Sequence, residues 1–218
     1  MSTYTPYTWP VIDTAAVCAL QDLASSGSLL LNGTFTSSDT PNQISFISNN
    51  FIRSISITSA NNLSGVTFTV TGFQNEAFVT ETITGPNNDT VSGTKYYDVI
   101  TSVIVNGAVT QVSVGTGNAG YLPLVQLNTL SSSINYSCSI KVPASGSGVT
   151  YSLYQTLEQV SPNYITFQNQ IGSNFFQIGT DGTTSQILNF NVITNYLLFK
   201  IVSTAPTTDT VKFIYLQL

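Results

Sequence analysis

Carboxylates without any histidine set the chemistry this chain can attempt. Two acidic pairs, Glu76 with Glu81 and Asp89 with Asp98, are the candidates for an acid and a base flanking a glycosidic bond. Glu76 and Glu81 stand five apart on one expected strand, which puts them on opposite faces unless a bulge intervenes. They read as solvated charges at strand edges. Asn87-Asn88-Asp89 and Asp181-Gly182 offer oxygen ligands for calcium, but neither has the alternating Asp/Asn and distal Glu of a dedicated loop. The missing histidine removes the commonest general base and metal ligand. Cys18 and Cys138 form no CxxC motif and read as small, buried free thiols, although one bridge between them stays open. The expectation is a non-enzymatic protein with no catalytic, cofactor or metal site.

The residues that could instead bind another molecule are aromatic. Tyr4, Pro6, Tyr7, Trp9 and Pro10 make a proline-spaced arm that cannot be helical and is expected to be extended. Aromatics give contact area at low entropy cost, so this arm is the candidate interface, lying across its own domain or a neighbour's. Tyr96, Tyr97, Tyr151, Tyr154 and Tyr164 could stack on sugars if exposed on loops, with Asn and Asp supplying hydrogen bonds. Tyrosines in strands are more often core or cross-strand partners.

Only 7% of residues are charged, against roughly 25% in an average domain. Ser, Thr, Asn and Gln take the polar role, and such a surface forms interfaces without desolvating charges. The chain reads as one built to pack against other chains; a low-charge extracellular domain is the other reading. Arg53, Lys95, Lys141, Lys200 and Lys212 are scattered and the net charge is −5, so phosphate backbones find no cationic cluster. The N-terminal stretch lacks the pattern of a signal peptide, and no stretch approaches the ~20 apolar residues of a membrane helix. Synthesis in the cytosol as a soluble chain is expected.

The elements that must position these residues are strands. In residues 51–117, Val66, Phe68 and Val70 share one parity and Thr67, Thr69 and Thr71 the other, the period of a strand with one buried face. Turn formers at Asn61-Asn62, Thr71-Gly72, residues 85–89, Ser92-Gly93 and Asn106-Gly107 divide this stretch into five or six antiparallel strands. Asn106-Gly107 predicts a two-residue hairpin joining residues 94–105 to 109–114. Residues 14–24 hold the one candidate helix, with Thr14 as N-cap, though a helix this short is marginal. Residues 28–36 and 43–48 read as the first strands, Gly115 to Gly120 as a break, and residues 121–127 as a linker or edge. A second strand set starts at Ser132 and includes residues 164–167; residues 197–203 and 209–218 read as a closing hairpin. The reading is all-β: two small antiparallel β-sandwich or jelly-roll-like domains. The boundaries are an N-terminal arm (1–27) with its short helix, a first domain (28–117), a linker (118–130) and a second domain (131–218). A single fused sandwich is the alternative.

The same stretch resembles a family of tailed-bacteriophage virion proteins. The resemblance rests on Ile57-Thr58-Ser59-Ala60, then residues 64–72 (SGVTFTVTG), 81–87 (ETITGPN), 94–97 (TKYY), 100–103 (ITSV) and 112–117 (VSVGTG), in that order. Upstream, Pro10, Asp13-Thr14 and Leu31-Asn32-Gly33 are similar too, so about residues 10–117 are covered. Phe73-Gln74-Asn75 departs from a more polar, acidic turn. The resemblance implies a capsid decoration, or cement, protein on the outside of the head shell, with the major capsid protein and further copies of itself as partners. A trimer is the expectation from the three-fold positions of icosahedral shells. The alternative is a tail or head-fibre component that binds a host-surface glycan or receptor.

Overall fold

The computed structural model describes residues 4–9, 12–37, 42–46, 52–122, 125–126, 135–142, 148–156, 175–191, 196–203 and 211–217. Among these residues every regular element is a β-strand, and the strand pairs are antiparallel. The all-β, sandwich-like class read from the turn spacing is the class the chain adopts. The chain divides into two compact units, Ile12–Gly120 and a second that joins the first strand, β1 (Tyr4–Trp9), to the strands from Tyr121 onward.

The Ile12–Gly120 unit is built from two sheets. One places β8 (Thr90–Ser92), β5 (Ile52–Ser59) and β10 (Val109–Tyr121) side by side, with β2 (Cys18–Leu23) paired on β10. The other runs β3 (Gly27–Ser28), β9 (Val99–Val105), β6 (Thr67–Gln74), β7 (Ala77–Thr84), with β4 (Ile44–Ser45) on β9. Phe68 and Val70 on β6, Val103 and Val105 on β9, Ile55 and Ile57 on β5, and Val112 and Val114 on β10 are buried. Each such side chain contributes about 1.5–3 kcal/mol through its removal from water.

Local chemistry overturns three of the sequence expectations here. Residues 14–24 form no helix: Asp13 Oδ1 accepts from the Ala15 amide (2.8 Å) in an Asx turn, and the Val17 amide then donates to the Val114 carbonyl (2.9 Å) as β2 starts along β10. Pairing with a buried strand supplies hydrogen bonds and burial that an isolated helix of three turns cannot match. Gly115 to Gly120 is no break, because β10 continues to Tyr121, and β11 (Val125–Gln126) follows within the stretch expected as a linker, residues 118–130. A Cβ on Gly117 would lie 2.3 Å from Ser54 Oγ, so the glycine lets β10 press against β5. Buried side chains then reach its carbonyls: Arg53 Nε donates to Gly117 O (2.9 Å), Ser56 Oγ to Thr116 O (3.0 Å) and Ser54 Oγ to Ala119 O (3.0 Å).

The third correction concerns Asn106-Gly107, which does not close a hairpin, since β9 and β10 lie in different sheets of the unit. Asn106 instead caps β6, its Oδ1 accepting from the Thr67 amide (2.8 Å) while its own amide donates to Thr67 O (3.2 Å). The two-residue turn sits at Asn75-Glu76, both in the left-handed region (φ 48° and 66°), joining β6 to β7 where Gln74 opposes Ala77. Two positive φ values in succession are the mark of a type I′ turn, whose twist suits a hairpin.

In the second unit one sheet runs in the order β1, β17 (Val211–Gln217), β12 (Asn135–Lys141), β15 (Gln186–Asn191). The other strands are β14 (Phe176–Gly182), β13 (Val149–Thr156) and β16 (Tyr196–Ser203), adjacent in that order, with β11 paired on β16. Strands β16 and β17, read as one closing hairpin, therefore belong to different sheets. The strand read at residues 164–167 lies outside the described residues. Nor is residues 1–27 a separate arm: Ile12 onward belongs to the first unit, and β1 is an outer strand of a sheet in the second. Pro6, which has no amide to donate, is tolerated there because an outer strand leaves one side of its ladder unused.

Candidate interaction surfaces

Strand register turns the threonine pattern of the sequence into a surface. Thr67 opposes Thr84, Thr69 opposes Thr82 and Thr71 opposes Thr80, so three threonine pairs follow one another along β6 and β7. The alternating residues between them, Phe68, Val70, Val79 and Ile83, are buried, which turns the threonines outward; Thr80, Thr82 and Thr84 are exposed. Across β9 the same outer face continues with Ser102 opposite Thr71 and Ile104 opposite Thr69, and then with Ser28 of β3 opposite Ile104. The Leu29 amide donates to Val103 O (2.8 Å), which carries the pairing on to Leu30.

No acidic or basic side chain stands among these residues. The nearest carboxylates lie off the face. Glu76 occupies the hairpin tip, and Glu81, of the opposite parity on β7, accepts from the Thr94 amide (2.6 Å), Thr94 Oγ1 (2.7 Å) and the Lys95 amide (3.2 Å). Leu30 (57% exposed) and Ile104 (48%) add an apolar margin on one side, and Phe78 (66%), packed edge-on against Phe73 with ring centroids 6.0 Å apart, adds one at the hairpin end. Three strands about 4.8 Å apart and five residues rising about 3.3 Å each give an area of about 240 Å², with Ser28 at its margin. That is about a third of what one partner contributes to an interface of standard size.

The sequence-derived candidates fall elsewhere. Tyr4, Pro6, Tyr7 and Trp9 lie on β1 in register with Leu216, Ile214, Phe213 and Val211 of β17, so the extended segment pairs within its own chain; Pro10 lies outside the described residues. Tyr96, Tyr97, Tyr151 and Tyr154 are each less than a tenth exposed, so none is a surface stacking platform, and Tyr164 lies outside the described residues. The carboxylate pairs are not brought together as acid and base. Glu81 is held by residues 94–95, Asp89 Oδ1 accepts from the Thr90 amide (2.7 Å), and Asp98 Oδ2 accepts from the Asn75 amide (2.6 Å) beneath the β6–β7 turn. Among the described residues no group of three or more His, Cys, Asp or Glu side chains could hold a metal ion.

Burial pushes the Asp98 carboxyl above its usual range, with Glu76 adding to the rise and the amides at Asn75, Asp98 and Val99 opposing it. Gln74 Nε2, Tyr97 Oη and Asp98 Oδ1 are buried without a hydrogen-bond partner among the described residues. Cys18 and Cys138 are free and buried, and burial raises both thiols to about 12.

Family models offer no match to this sequence, and a search of curated proteins finds none. The surfaces themselves therefore carry the functional argument. The threonines of β6 stood out in the sequence by their parity. Their partners did not, because VTETIT becomes the other half of a ladder only once the Asn75-Glu76 turn fixes the register.

Proposed function

We propose that this protein is a non-enzymatic structural protein of a bacteriophage virion: a decoration, or cement, protein that binds the outside of a head shell and associates with copies of itself there. The observation that carries this reading is the uncharged hydroxyl face of β3, β9, β6 and β7. A hydroxyl can both donate and accept, so an array of them is complementary to a second copy of itself, with no charge pattern to match; Thr80, whose hydroxyl already donates to Val70 O (3.2 Å), is left to accept. Carrying a net charge of −5, two copies repel each other least across a face without charge. A contact of this size is weak alone and effective when a lattice presents many of them at once. The ordered motifs that resemble tailed-phage virion proteins support the same reading, with the major capsid protein as the underlying partner.

The test is to mix the purified protein with empty phage heads that lack it, sediment them and count bound copies per head. Saturable binding at many copies, with heads made harder to disrupt, is the expected result. Thr69→Lys and Thr82→Lys place a charge in the middle of the face and are expected to weaken self-association roughly tenfold without lowering thermal stability. Unchanged self-association in both variants, measured by sedimentation equilibrium, overturns the role given to this face. Binding at only a few copies per head favours a second reading, a tail or head-fibre component that recognises a host-surface glycan. A polar cleft on β13 and β14 is the observation in its favour.

A further inference from the structure

Strand β14 does not run evenly along β13. Tyr151 opposes Gly182 and Leu153 opposes Ile178, so Gly179, Thr180 and Asp181 together stand opposite Ser152 alone. Extra residues of this kind re-aim side chains and are common beside binding sites. Here they border a cleft of about 390 Å³, lined by Tyr151, Leu153 and Ile178 together with Thr180, Asp181 and Thr184. That volume lies within the range of small-molecule sites.

The walls are fixed before any ligand arrives. The Tyr151 hydroxyl donates to Thr184 O (2.8 Å) and its ring stacks on Phe199, with centroids 5.7 Å apart. A Cβ on Gly182 would lie 2.2 Å from Tyr151 Cζ, so only glycine lets the returning strand close on the ring. Asp181 Oδ1 accepts from Ser152 Oγ (2.6 Å) and Gln177 Nε2 (2.7 Å), which holds the carboxylate in one orientation. Its Oδ2 accepts no bond among the described residues. Asp181, Thr180 and Thr184 are exposed to solvent.

We propose that this cleft binds one neutral pyranose unit of a saccharide. Oδ2 of Asp181 accepts from sugar hydroxyls, the Thr180 hydroxyl adds a donor and acceptor, and the C–H face of the ring rests on Ile178, the half-buried apolar side chain of the lining, with Tyr151 and Leu153 buried behind it. No Lys or Arg lines the cleft and one carboxylate does, which disfavours an anionic ligand. A single carboxylate, already holding two donors on one oxygen, is a poor cation site. The polar lining disfavours a purely apolar ligand, which would leave Asp181 and the threonines unpaired.

The test uses the full chain, labelled with 15N and titrated with the methyl glycosides of glucose, galactose, mannose and N-acetylglucosamine. At least one glycoside is expected to shift the Thr180, Asp181 and Thr184 amides saturably, with a dissociation constant in the millimolar range. Asp181→Asn, which keeps an acceptor for Ser152 and Gln177 but removes the charge, is expected to weaken that binding roughly tenfold. Thr180→Val, a change on the exposed bulge, is expected to weaken it about threefold while leaving the remaining spectrum unchanged. No saturable shift with any of the four, or binding that neither variant alters, overturns the proposal. So does calcium alone shifting the same amides at lower concentration than any glycoside. The titration needs no phage head, so its failure leaves the decoration reading standing, and the failure of that reading leaves this cleft untouched.

Discussion

Asp98 is a carboxylate that the fold desolvates beneath a tight turn, and its protonation is therefore tied to folding. Its pKa in the folded protein is raised above the ordinary 3.8, so the folded state holds the proton at pH values where the unfolded chain has released it. The sign follows from that difference. The contribution of Asp98 to stability is greatest below pH 3.8 and falls as pH rises through its folded value. Asp98→Asn keeps an oxygen for the Asn75 amide and has no charge to bury. The variant is expected to melt above the wild type at pH 7, with the gap narrowing toward pH 4; calorimetry across that range decides it, and a wild type more stable at pH 7 contradicts it. The thiols make a second prediction at this scale. With Cys18 and Cys138 buried and raised to about 12, neither is expected to react with a thiol reagent at pH 8 until denaturant is added, when both do.

At the scale of elements, what could be read from the sequence depended on whether neighbours in sequence were also neighbours in a sheet. The buried parity of Phe68 and Val70 was legible because a strand needs only its own pattern to choose an inner face. Asn106-Gly107 misled because turn chemistry permits a hairpin without requiring one, and here the chain crosses to the other sheet. Residues 14–24 misled because helix propensity is local, whereas the pairing of β2 with β10 joins segments far apart in sequence. The threonine ladder was half legible, in the period of each strand but not in the register between them. β1 yields a prediction of its own. Its six residues pair with β17 from Tyr4 opposite Leu216 to Trp9 opposite Val211, so deleting residues 1–9 strips one side of β17 of its partner. The truncated protein is expected to lose thermal stability and to aggregate more readily through the uncovered strand. Equal melting temperatures for full-length and truncated chains would show that the pairing adds nothing.

At the scale of the whole molecule, the two units differ in how the chain builds them. All the strands of the hydroxyl face, together with β2, β5, β8 and β10 up to Gly120, come from the continuous stretch Ile12–Gly120. A fragment of residues 12–120 is therefore expected to fold alone, showing dispersed amide resonances and a cooperative melt; a collapsed or unfolded fragment would refute this. A fragment beginning at residue 121 lacks β1 and is expected to be less stable than the same strands in the full chain. Among the described strands, β1 leaves the ribosome before any other and β17 after all the rest. The sheet they share cannot close until β17 has emerged. Its opening strand has no β17 to pair with while the whole Ile12–Gly120 stretch is being made. The emergence of β17, and not the appearance of the first hydrophobic segment, therefore sets the moment at which this sheet can assemble.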